Sequence, residues 1–169
     1  MICLCGCSGS RREEKKQPSR SAAEIKQQLI DYNNAVGDAT VDDFASVQYY
    51  TVNVTNNSLA TEEMLVDPEM EVDCEMICDV VLDALEDQSV FIEFVGVSMD
   101  GGTAVVNFSG DFTDENDLTE DTETCVLDAI AQSLLDNVAD CSGVSFLTDG
   151  ESYSSQYRSF EDGYVYMEN

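Results

Sequence analysis

The stretch Asp100-Gly101-Gly102-Thr103-Ala104-Val105-Val106-Asn107-Phe108-Ser109 decides the fold. Asp-Gly-Gly is a hairpin signature, because glycine takes the positive φ that a tight turn requires. Beyond the turn, Ala104, Val106 and Phe108 fall on one face of a strand, and Val105, Asn107 and Ser109 on the other. Strict alternation of this kind predicts a sheet with one buried face. Val90–Met99 supplies the strand on the other side of the turn.

Amphipathic helices are expected on both sides of this hairpin. Over Met70–Leu85, the residues Met76, Ile77, Val80, Val81, Ala84 and Leu85 recur at spacings of three and four, while Asp73, Glu75, Asp79 and Asp83 take the other positions. Over Thr119–Val138 the buried stripe is Val126, Ile130, Ser133, Leu134 and Val138, widened by Leu127 and Ala131. Ser46–Val54 is rich in β-branched and aromatic residues and reads as a strand. Asn56-Asn57-Ser58 is a turn signal, Leu59–Val66 returns as a weaker strand, and Asp67-Pro68 stops it. Asp111–Asp121 reads as an acidic loop, Val144–Leu147 as a strand closed by Thr148-Asp149-Gly150, and Tyr164–Met167 as a terminal strand. The order β-(β)-α-β-β-α-β predicts an α+β fold: a small mixed sheet with two helices packed on one face. Residues 1–20 form a tether, 21–45 a short helix or stalk opened by the capping box Ser21 and Glu24, and 46–169 the folded acidic domain.

Charge is distributed unevenly. Arg11, Arg12, Lys15, Lys16, Arg20 and Lys26 are six of the seven bases; only Glu13, Glu14 and Glu24 accompany them among the first 26 residues. Residues 27–169 therefore hold 32 acids against Arg158 alone, a net charge of −31. Such a surface repels nucleic-acid phosphates and anionic headgroups, so nucleic acid is not an expected partner. The acids read either as a solvated surface or as a surface for divalent cations or a basic partner. A soluble acidic cation-binding protein is the corresponding alternative function.

Histidine and tryptophan are absent. Without histidine no Ser–His–Asp or Cys–His arrangement exists, and any carboxylate pair is easily found among 35 acids. No enzyme activity and no cofactor is expected; a cell-wall hydrolase accessory is the further alternative. The run from Asp111 to Asp121 has oxygen ligands but lacks the glycine and spacing of an EF-hand. No metal site is expected there. Cys74, Cys78, Cys125 and Cys141 allow three complete disulfide pairings, and sequence leaves free thiols and disulfides both open. Their spacing is not that of a zinc site. In the tail, Tyr153, Tyr157, Tyr164 and Tyr166 surround Arg158 and are a candidate interaction surface, since Tyr and Arg are enriched at binding hot spots.

Leu4-Cys5-Gly6-Cys7 resembles a bacterial lipobox, which implies lipid attachment at Cys7 and anchoring on the outer face of the cell membrane. Ser8-Gly9-Ser10 and the cluster Arg11–Lys16 continue as a polar, basic tether. Only Met1–Gly6 precede Cys7, so an apolar stretch upstream of Met1 is expected if the signal is complete.

Several strings resemble the sporulation and spore-germination (GerMN) domain over residues 46–150. These are Gln48-Tyr49-Tyr50, Val81-Leu82-Asp83-Ala84-Leu85, Gly102–Ser109, Leu127–Leu134 and Val144–Gly150. After the first helix this chain has Glu86-Asp87-Gln88 where the family often has Gly-Pro. The resemblance implies a ring-building-like fold and a non-catalytic assembly role among protein partners of the cell envelope, in sporulation or germination. Ring-building domains associate side by side, so contact through a sheet edge is expected, at the first strand or at the Tyr153–Tyr166 tail.

Overall fold

The computed structural model describes residues 44–169. Cys7, the tether over 1–20 and the helix expected within 21–45 lie outside the described residues.

β1 (Ala45–Asn53) and β2 (Ser58–Val66) form an antiparallel hairpin closed by Asn53 opposite Ser58. Asn57 takes φ +51° in its turn, a conformation that asparagine tolerates better than most residues. α1 (Cys74–Glu86) follows. It begins four residues later than periodicity alone suggests. Asp67 holds a turn through Glu69 and Met70, and the Asp73 carboxylate then caps the helix by accepting from the Met76 N–H at 2.8 Å.

β3 (Phe94–Asp100) and β4 (Thr103–Phe108) are the expected hairpin; Gly101 and Gly102 both have positive φ. The strand expected from Val90 starts only at Phe94. Upstream of it, Asn116 donates to the Phe91 carbonyl and accepts from the Phe91 N–H, both at 2.8 Å, and so replaces the ladder there. α2 (Phe112–Glu115) is one helical turn inside the segment read as an acidic loop. Phe112 and Thr113 are buried, and Asp111 caps them, so burial of this aromatic ring organises what composition marked as a loop.

α3 (Glu120–Asn137) is capped by Thr119. β5 (Gly143–Thr148) then lies parallel to β4, and β6 (Glu151–Ser152) and β7 (Met167–Glu168) both pair with β5. Asp149-Gly150 forms the second two-residue turn, again with positive φ at both positions.

The five-stranded sheet is mixed, as expected. α1 packs on β3, α3 packs on β5 and β7, and the helices pack on each other, so both lie on one face of this sheet. Ala104, Val106 and Phe108 are wholly buried on that face, while Val105 and Asn107 opposite are half-buried. Ile77, Val81 and Leu85 of α1 and Val126, Ile130 and Leu134 of α3 complete the core.

The expectation of one sheet needs correcting. β1 and β2 form a separate two-stranded sheet that packs on the helices. Tyr49 and Val52 are wholly buried there. The β1 edge facing away from β2 is covered by side chains. The Tyr50 N–H donates to Ser133 Oγ at 2.8 Å, Asn137 Nδ2 donates to the Gln48 carbonyl at 2.8 Å, and the Val54 N–H donates to Gln88 Oε1 at 3.2 Å. Side chains of α3, with Gln88 just after α1, thus do what a neighbouring strand would do.

Removing that cover tests it. Ser133→Ala leaves the Tyr50 N–H without its acceptor in the interior and costs about 1–2 kcal/mol in urea unfolding, more than an exposed serine substitution on the same helix.

Candidate functional site

The aromatic tail is packed inward rather than presented outward. Tyr153 is 1% exposed and stacks on Phe160, with Phe108, Phe112 and Phe146 around it. Tyr153 therefore belongs to the core and offers no surface. Its hydroxyl donates to Glu123 Oε1 at 2.7 Å, and the Ser155 hydroxyl donates to the same oxygen at 2.6 Å. Arg158 Nε donates to Glu123 Oε2 at 2.7 Å, and Arg158 Nη2 donates to Thr124 Oγ1 and the Glu120 carbonyl. Glu123 is 0% exposed, so an ionised carboxylate in the interior is matched by a guanidinium and two hydroxyls. Tyr166 donates to Asp128 on the same helix, and Tyr157 to the Leu118 carbonyl. Of the five tail residues singled out by sequence, only Tyr157 and Tyr164 are exposed, at 40% and 47%. Spacing gave no information about which way the rings face; Arg158 is drawn inward by Glu123, the one fully buried acid among the described residues.

The other chemistry-bearing residues are occupied structurally. Asp111 caps α2 and accepts from the Gln156 N–H at 2.6 Å. Among the described residues no three carboxylates or thiols come together as a metal cluster. Cys74, Cys78, Cys125 and Cys141 are free, and burial pushes all four thiols above their ordinary pKa, away from the reactive thiolate.

What the fold leaves open is an edge. β3 is the terminal strand of its sheet and pairs only with β4. Asp100 and Thr103 flank the two-residue turn as a hydrogen-bonded pair, so alternation points the N–H and C=O of Val97 and Met99 away from β4. Val95 is the extra residue of a β-bulge and is 59% exposed; Met99 is 42% exposed, and Phe91, just before the strand, 59%. Beside Val97 and Met99 opens a cleft of ≈ 320 Å³, walled also by Val72 and Val138. Glu71, Asp73 and Glu75 line the same cleft. β2 has an open edge as well; it exposes Leu59 at 42%, but its other exposed residues are Ser58, Ala60, Thr61, Glu62 and Glu63, which give a partner less to bury. An edge strand is recognisable in sequence only once the strand order is known, which is why β3 was not singled out.

No family model matches this sequence, and no curated protein matches it. Among solved structures the chain is similar to the tandem GerMN domains of the sporulation protein GerM from Bacillus subtilis. Identity is 14%, the TM-score 0.38, and the match covers 72% of this chain and 45% of that one. The chain thus spans less than half the length of that protein.

Two outcomes follow from the site's charges. Glu123→Ala strands Arg158 and two hydroxyls; we expect a loss of about 3 kcal/mol in denaturant unfolding, with loss of the tyrosine near-ultraviolet signal. On α1, burial and then Asp79, Glu86 and Asp87 push the Asp83 carboxyl up to about 6. Its folded value lies above the unfolded one, so this stability is complete below roughly pH 4 and is lost as pH rises through the raised value. Asp83→Asn should raise Tm at neutral pH by roughly 3 °C and flatten the Tm gain otherwise seen on acidification towards pH 5.

Proposed function

We propose that this chain is a non-catalytic interaction module, tethered through Cys7 to the outer face of a bacterial cell membrane, where it holds a protein partner of the envelope in sporulation or germination. The open β3 edge carries this reading: apolar residues and backbone groups are left available for contact, while the polar side chains of the tail are spent on the fold. The lipobox-like Leu4–Cys7 string and the GerMN-like strings within 46–150 support the address and the process. The net charge of −31 over residues 27–169 favours a partner more basic than the domain itself.

The test is made in cells of a spore-forming bacterium expressing the gene with its upstream region. The wild-type chain is expected in the membrane fraction and Cys7→Ala in the soluble one. Crosslinking followed by pull-down at low salt is expected to recover an envelope protein that high salt releases. Equal partitioning of both forms, or turnover of cell-wall muropeptides by the purified chain, would count against the proposal.

A further inference from the structure

The strand edges of the two sheets differ in what each can accept. β1 is covered by Ser133, Asn137 and Gln88, β5 is shared by β6 and β7, and β2 presents Leu59 among mostly small or polar residues, Glu62 and Glu63 included. β3 combines outward backbone groups with a cleft that has both apolar walls and carboxylates beside them. It also lacks the usual protection of an edge strand: Phe94–Asp100 contains no proline and no lysine, and its bulge leaves Val97 and Met99 regular.

Resting on the contact reading above, we infer that the outer edge of β3 takes up an extended segment of a cationic partner polypeptide as an added strand. The N–H and C=O of Val97 and Met99 pair with the segment's backbone. In an added strand, alternate side chains point to the same face, so one apolar side chain of the segment enters the cleft walled by Val72, Val97, Met99 and Val138. A lysine or arginine of the segment then meets Glu71, Asp73 and Glu75. Charge selects this occupant over a second copy. Among residues 44–169 there are 28 acids and Arg158 as the single base, and that arginine is bound to Glu123. A second copy pairing edge to edge would therefore bring Glu71, Asp73 and Glu75 against their own counterparts, with no free cation among residues 44–169 to place between them.

The full chain is titrated with a short synthetic peptide of alternating valine and lysine, using calorimetry and amide hydrogen exchange. The expected result is saturable binding, with exchange at the Val97 and Met99 amides slowed at least about tenfold. N-methylation of alternate peptide residues removes the backbone donors while keeping charge and side chains. It should weaken binding about tenfold, and the valine–glutamate peptide should not bind. Val97→Pro removes one outward donor at a position where an edge strand tolerates proline, and should weaken binding by a similar factor. Should that variant unfold, Val95→Lys at the exposed bulge provides the second check and weakens binding by repulsion. Equal binding of the N-methylated peptide means attraction by charge alone and overturns the inference. So does protection confined to β2, or a concentration-dependent dimer of the free chain whose Val97 and Met99 amides are protected. Because the peptide assay needs no cellular partner, its failure leaves the membrane fractionation and pull-down to decide the contact reading separately.

Discussion

Helix α3 must satisfy two sheets at once, and the rest of the structure is arranged around that requirement. Its apolar residues Val126, Leu127, Ile130 and Leu134 are wholly buried. Its polar residues are no less committed. Glu123 holds Tyr153, Ser155 and Arg158; Asp128 holds Tyr166; Ser133 and Asn137 hold the edge of β1; and Thr122 donates to Asn57 in the β1–β2 turn. A helix buried on one face would need none of these. Buried backbone and carboxylate groups have to be paired, and on this helix the pairs are also what binds hairpin and tail to the body.

The same requirement explains how far the sequence could be read. The hairpin at Gly101-Gly102, the alternation of Ala104, Val106 and Phe108, and the Asp149-Gly150 turn were legible because each is a local rule. Ser133 was legible as a member of the buried stripe, but not its purpose, which depends on a strand more than eighty positions away in sequence. The separation of β1 and β2 from the main sheet was hidden for that reason. A side-chain cap on a strand edge leaves no periodic trace. The start of α1 was misplaced because periodicity ran back past Asp73, whose cap outranks it. The tail was misread because a tyrosine-rich segment with one arginine has the composition of a binding surface, and only the buried Glu123 shows why it turns inward.

Charge shapes the remainder. With one base among the described residues, attraction between side chains can stabilise the interior at only one ion pair. Elsewhere the acids are solvated, used as caps at Asp73 and Asp111, or crowded along α1, where Asp83 is harder to ionise. The first turns of α1 and α3 carry acids and their last turns no bases, so only the N-terminal ends of the helix dipoles are complemented. Cohesion therefore falls to the apolar core and to hydrogen bonding, both of which tolerate high ionic strength.

The position of Arg158 in the chain also sets an order of events. The two hairpins are local and form early, whereas the parallel pairing of β4 with β5 has to wait for the whole of α3. Even then Glu123 has no counter-ion, because Arg158 lies 35 residues further on. A chain that emerges from its N-terminus carries an uncompensated carboxylate at the centre of its future interior until Arg158 is free. Closure is thereby postponed until residue 158 has emerged, and a chain cut short before Arg158 lacks the cation needed to finish.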